Sequence, residues 1–126
     1  MIPGLGMGVH PPLLDESYVD GVVMVEEVDT IRACRRLARS GFLFGGSTGT
    51  VVSGAMDWLA QHDERHELTA VAIAPDLGER YLTTIYQSNW LKDVYGEDTF
   101  EVDELNVSSW SSDKQPHQQP TMLFAR

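Results

Sequence analysis

The sequence predicts an α/β chain, a partial three-layer parallel sheet with flanking helices, and three observations carry that expectation. Short apolar runs of strand length alternate with stretches of helical periodicity: 22–25 before 27–40, 42–44 before 51–61, and 68–74 before 78–86. The connections are short, and the runs lack the polar alternation of a half-solvated sheet, as strands covered on both faces do. Only about three strands can be read, which is few for such a sheet. Neighbouring strands are therefore expected on polypeptide outside this chain.

The opening alternates Gly4, Gly6 and Gly8 with apolar residues and ends in Pro11-Pro12, the composition of a loop. Residues 22–25 follow an acidic stretch and read as a strand. Over 27–40, Val28, Ile31, Cys34, Leu37 and Ala38 recur at three- and four-residue spacing while Arg32, Arg35, Arg36 and Arg39 take other faces. That pattern predicts an amphipathic helix closed by Gly41. Phe42-Leu43-Phe44 reads as a buried strand entering the turn Gly45-Gly46-Ser47-Thr48-Gly49-Thr50, after which Val51, Val52, Ala55, Trp58 and Leu59 continue at helical spacing. Residues 62–67 are a polar loop, 68–74 a strand ending at Pro75-Asp76, and 78–86 a helix. Beyond Tyr95 the chain turns acidic and then rich in Ser, Gln and Pro, so 1–95 is expected to be the folded portion and 96–126 a flexible tail.

With 126 residues, 42% of them hydrophobic, the chain can form one core. Its net charge of −10 and pI near 4.6 oppose nucleic acid and anionic membranes, since phosphate binding needs clustered Lys and Arg. No apolar run approaches the ~20 residues of a membrane span, and no secretion signal opens the sequence, so a cytoplasmic location is expected. The single Cys34 excludes an internal disulfide, and no Cys/His spacing suggests a metal site.

The turn 45–50 is the most informative segment. A strand entering a glycine-rich turn that opens a helix exposes backbone N–H groups and a hydroxyl, a setting for a polar ligand. Ser47 could equally be a simple helix cap. Gly45, Ser47 and Gly49 also fit G-x-S-x-G, the nucleophile elbow of α/β-hydrolases, with Asp76 and His117 following in triad order, although His117 falls in the tail. Pro75 and Asp76 end the strand 68–74, where open α/β sheets place ligands, and should face the same crevice as Ser47. The alternative is that Asp76 caps the next helix and Glu79 pairs with Arg80 on the surface.

Three blocks then occur in order: Ile2-Pro3-Gly4-Leu5-Gly6-Met7-Gly8 with Pro11-Pro12, Phe44-Gly45-Gly46-Ser47-Thr48-Gly49-Thr50, and Ala74-Pro75-Asp76-Leu77-Gly78-Glu79-Arg80-Tyr81-Leu82. Together, over roughly 2–95, they resemble the C-terminal part of the cysteine synthase and cystathionine β-synthase family, pyridoxal 5'-phosphate (PLP) enzymes of the tryptophan-synthase β-like fold. Residues 33–39 and 84–90 look closest to the 2,3-diaminopropionate-biosynthesis branch, which supplies siderophore precursors.

The resemblance implies a transferase performing β-replacement on an activated serine, O-phosphoserine or O-acetylserine, to make a diaminopropionate precursor from glutamate or cysteine from sulfide. It implies cofactor contacts from Gly46, Ser47, Pro75 and Asp76, with the Ser47 hydroxyl on the pyridine nitrogen, and a substrate loop at Gly4, Gly6 and Gly8. No catalytic residue is assigned here, because the family's Schiff-base lysine and phosphate loop lie upstream of these blocks. Lys92 and Lys114 are read as surface charges. The expected partners are amino-acid substrates, the complementing N-terminal half and, by family habit, a second copy. The chain alone is expected to be inactive and marginally stable. A small serine hydrolase using Ser47, or a non-catalytic domain that recruits a partner strand, are the alternatives.

Overall fold

Residues 27–39 wind into a helix, α1 (Glu27–Arg39), whose charges follow its dipole: Glu27 and Asp29 in the first turn, Arg36 and Arg39 in the last. The computed structural model describes residues 2, 4, 5, 12–96, 99 and 100. The end of α1 is fixed by Gly41, whose φ of 92° lets the Phe42 N–H reach back to the Leu37 carbonyl at 2.9 Å while its own N–H meets Ala38 O at 3.0 Å. This double closure is a Schellman motif, and it accounts for glycine at that position.

The buried face of α1, Thr30, Ile31, Ala33 and Cys34, meets α2 (Gly46–His62) on one side. Contact is close because Gly49 has no side chain: a Cβ there would lie 2.3 Å from Cys34 Sγ and 2.6 Å from the Thr30 carbonyl oxygen. Beside it the Thr30 and Thr50 hydroxyls share a hydrogen bond of 2.9 Å. On the other side Ile31 and Cys34 join Ile2, Ile85, Leu91 and Phe100 in the core, rimmed by Val28, Tyr81, Tyr86, Trp90 and Tyr95 among others. The short α3 (Ser88–Tyr95), capped by the Gln87 side chain on the Trp90 N–H, supplies part of that wall.

Glu27 ties three segments together. Its carboxylate accepts the Ile2 N–H at 2.9 Å and the Tyr95 hydroxyl at 2.8 Å. Burial raises its pKa, but these donors outweigh burial and hold it below the usual range. The Tyr95 phenol is pushed up to about 12 by burial and by Glu27. Thr99 and Phe100 fold back onto the helices: Arg32 donates to the Thr99 carbonyl at 3.3 Å, and the Phe100 ring meets Tyr95 edge to face. The remainder of the tail expected from position 96 onward, including Lys114 and His117, lies outside the described residues.

The expected sheet does not form among the described residues. Phe44 and Leu77 make one isolated antiparallel bridge, flanked by Gly45 N–H to Asp76 O and Gly78 N–H to Leu43 O, both at 3.1 Å. The runs 22–25 and 68–74 pair with no other described segment as strands. A strand's N–H and C=O groups point sideways and a ladder requires a second strand in register, whereas within 68–74 only Ala70 takes part in a bridge. Some of the apolar side chains in these runs stay in solvent, Val22 at 79% and Met24 at 89% exposure. Val23 and Val25 do approach α2, where Gly54 makes room for them.

The helix expected over 78–86 is a second correction. Only a 3-10 turn, Gly78–Tyr81, is present, followed by turns in which Thr84 N–H meets Tyr81 O at 3.1 Å and Gln87 N–H meets Thr84 O at 3.0 Å. Packing overrides periodicity here. Ile85 is drawn fully into the core, the Tyr86 hydroxyl donates to the Phe44 carbonyl, and the β-branched run Thr83, Thr84 and Ile85 lowers the helix propensity that would oppose them. No helix among the described residues is long and apolar enough to cross a membrane.

Candidate functional site

The turn before α2 is built around one carboxylate. Gly45 caps the helix in extended backbone, with no side chain to satisfy the first free N–H groups. Asp76 does so from the far side of the Phe44–Leu77 bridge: its Oδ1 accepts the Thr48 N–H at 3.0 Å and the Thr48 hydroxyl at 2.8 Å, and its Oδ2 accepts the Ser47 N–H at 3.3 Å and the Tyr81 hydroxyl at 2.9 Å. Four donors converge on two oxygens. A Cβ at position 45 would sit 2.1 Å from Asp76 Oδ2 and 2.5 Å from the Tyr81 ring, so only glycine admits this arrangement.

Electrostatics follow from that geometry. Burial raises the Asp76 pKa, but donation from Thr48, Tyr81 and Ser47 outweighs it and holds the carboxyl below its ordinary range. Burial and the hydrogen bond to Asp76 push the Tyr81 phenol up. Behind the turn, the Cys34 thiol points at the Gly45 carbonyl at 3.3 Å and is raised to about 11, first by burial and then by the Asp76 charge. A thiol so placed stays protonated and inert.

Ser47, Gly46 and Asp76 therefore come together, as the sequence suggested. Ser47 is half-buried in the first turn of α2, and no described residue hydrogen-bonds its hydroxyl. Pro75 is exposed and takes no part in the ring of contacts around the carboxylate. Gly4 is exposed with a φ of 80°, and a Cβ there would meet open space; Gly6 and Gly8 lie outside the described residues. The base of that loop nonetheless touches the site, since Ile2 Cγ2 would lie 3.2 Å from a Cβ on Gly46. Lys92 is exposed on α3. Among the described residues no group of three His, Cys, Asp or Glu could hold a metal ion.

Two residues of the site, Thr48 and Tyr81, were not singled out by sequence reasoning. Thr48 was masked by the more familiar hydroxyl beside it, and Tyr81 by the helix expected around it. The capping role considered for Asp76 is real but directed elsewhere: it caps α2, 28 residues back along the chain, while the 3-10 turn that follows Asp76 has no side-chain cap. Ser47 does not sit in a nucleophile elbow. Such an elbow needs a sharp, strained turn at the serine, whereas Ser47 is helical and His66 is the one non-glycine residue with positive φ among those described.

No family model matches the chain. Over 91 residues it is 42% identical to the N-(2-amino-2-carboxyethyl)-L-glutamate synthase of Ralstonia nicotianae, and over 92 residues 39% identical to the protein of the same name from Cupriavidus metallidurans. This chain is related to N-(2-amino-2-carboxyethyl)-L-glutamate synthases. The similarity takes in 71% of the chain but only 26% and 27% of those synthases, so the chain spans about a quarter of the length of the curated relatives it matches. The relatives are enzymes, and the match fits a portion of one, as the ordered sequence blocks implied.

Proposed function

We propose that this chain is the C-terminal portion of a PLP-dependent β-replacement synthase of tryptophan-synthase β-like fold, which attaches the three-carbon unit of an activated serine to the amine of glutamate. The observation that carries the reading is the Ser47 hydroxyl, half-buried in the first turn of α2 and without a partner among the described residues. These features fit the pyridine edge of the cofactor. Bound PLP would supply the electron-withdrawing ring that lets a β-substituent leave.

The residues of this chain have limited tasks in that chemistry. Ser47 would hold the ring nitrogen by a hydrogen bond, and a neutral partner there would leave that nitrogen largely unprotonated. On this reading Pro75 would lie beside the ring, and Gly4, Gly6 and Gly8 would serve the substrate loop. In the overall reaction the Cβ–O bond of O-phosphoserine or O-acetylserine breaks, phosphate or acetate leaves, a Cβ–N bond to the glutamate amine forms, and that amine gives up a proton. The names of the relatives favour glutamate over sulfide as the nucleophile. Lys92 is exposed on α3; on this reading the Schiff-base lysine and the phosphate loop would come from polypeptide beyond the residues given, and this chain alone would be inactive. The same polypeptide would supply the strands that turn 22–25, 42–44 and 68–74 into a parallel sheet.

The test is a chimera in which the matched stretch of the Ralstonia nicotianae synthase is replaced by its counterpart from this chain. The expected chimera binds PLP and forms the glutamate adduct, and its Ser47→Ala form shows a shifted cofactor absorption with kcat/KM lower by about two- to tenfold, the loss of one neutral hydrogen bond. A chimera that folds but neither binds PLP nor turns over would refute the proposal, as would fluorophosphonate labelling of Ser47.

A further inference from the structure

We infer that Asp76 is a positioning residue that makes the Ser47 turn selective for an uncharged acceptor, because its carboxylate takes the place an anion would occupy at the start of α2. The inference rests on the proposed function for the identity of the acceptor, but not for its geometry.

A glycine-rich turn opening a helix ordinarily presents free N–H groups and a positive dipole end, which together attract phosphates and carboxylates. Here the N–H groups of Ser47 and Thr48 already donate to Asp76, at 3.3 and 3.0 Å. An ionised carboxylate offers about four lone-pair positions. Two are taken by those amides and two by the hydroxyls of Thr48 and Tyr81, at 2.8 and 2.9 Å, so Asp76 has no remaining capacity to contact a ligand itself. The Thr48 hydroxyl also lies 3.1 Å from the Asp76 carbonyl, and the Gly45 N–H donates to that same carbonyl at 3.1 Å, so the plug is fastened by backbone as well as side chain.

The consequence separates two roles that share one turn. An incoming phosphate would meet a fixed negative charge and amides already engaged. A neutral ring nitrogen would meet only the Ser47 hydroxyl, which Asp76 leaves free while holding its backbone in place. Asp76 is thus not a ligand contact, and Tyr81 and Thr48 act with it by completing its coordination.

The test uses the full chain, isotopically labelled, with backbone amide NMR signals of Ser47 and Thr48 as the readout and inorganic phosphate as the probe. In the wild type these two signals should not move with phosphate. In Asp76→Ala they should shift saturably, with affinity about tenfold or more above the wild-type limit, since the N–H groups and dipole are then unoccupied. Asp76→Asn, of the same shape but uncharged, should give a smaller response. Phosphate-dependent shifts of the wild-type signals would overturn the inference, and so would unmoved signals in both variants. Loss of dispersed signals in both would overturn it too, by making Asp76 a determinant of the fold and not of selectivity. None of these outcomes involves PLP, so failure here is distinguishable from failure of the chimera.

Discussion

Gly49→Ala is the sharpest test of how α1 and α2 are packed. The added Cβ would stand 2.3 Å from Cys34 Sγ and 2.6 Å from the Thr30 carbonyl oxygen, both far inside van der Waals contact. The sulfur belongs to a fully buried side chain and the oxygen to helix backbone, so neither can swing aside and α1 itself has to move. Overpacking of this kind costs about 1–3 kcal/mol, and the contact with backbone argues for the upper end. Alanine recovers ~1 kcal/mol of helix propensity over glycine, leaving a net loss of roughly 2 kcal/mol. The assay is denaturant unfolding of the wild type, Gly49→Ala, Cys34→Ala and the double variant. Removing Sγ should relieve part of the clash, so the double variant should be more stable than the sum of the two single changes implies. A Gly49→Ala chain as stable as the wild type, or more stable by the propensity alone, would refute the packing described.

Three further expectations follow from the same contacts. Asp76→Asn should lower stability at neutral pH by about 1–2 kcal/mol, the scale of hydrogen bonds to a partly screened charge. Because the folded Asp76 pKa is depressed, its contribution is complete above the ordinary value near ~3.9 and is lost as pH falls through the lowered one; acid unfolding of the wild type should show that loss and Asp76→Asn should not. Tyr95→Phe should cost about 1 kcal/mol and reduce the alkaline loss of stability of the wild type by the share of Tyr95, which begins above the ordinary tyrosine pKa near ~10 and runs through the folded value of about 12, with Tyr81 and Cys34 still contributing theirs, as measured by unfolding against pH. Cys34, fully buried and raised to about 11, should react with a thiol reagent only as fast as the chain opens; rapid labelling of the native chain would contradict its burial.

What was legible in the sequence was whatever local chemistry decides. The apolar spacing of Ile31 and Cys34, with acids before and arginines after, specifies α1 almost to the residue, and Gly41 marks its end because the Schellman closure needs a positive φ. The Gly45–Ser47 turn announced a helix start. What was hidden depends on contacts distant in sequence. Nothing near Asp76 says that its carboxylate reaches back 28 residues to Thr48, and nothing near Tyr81 says that its hydroxyl will be needed there instead of in a helix.

The missing strands are a different case, because the sequence signal and the structure address different surroundings. A helix satisfies its backbone within itself, so α1 and α2 form from their own residues. A strand satisfies its backbone only against a neighbour, and the described part of this chain, about a quarter of its relatives' length at most, offers 22–25 and 68–74 none. Val22, Met24, Phe42, Leu68 and Ile73 then remain in solvent, each more than half exposed. Single exposed apolar residues are ordinary, but a set drawn from every expected strand describes a face made to be covered. The chain alone should therefore bind a hydrophobic dye, and co-expression with the preceding portion of the Ralstonia nicotianae synthase should abolish that binding and raise the thermal midpoint. Dye binding undiminished in a stable complex would mean that the partner covers some other surface, and that these runs are not the strands of a shared sheet.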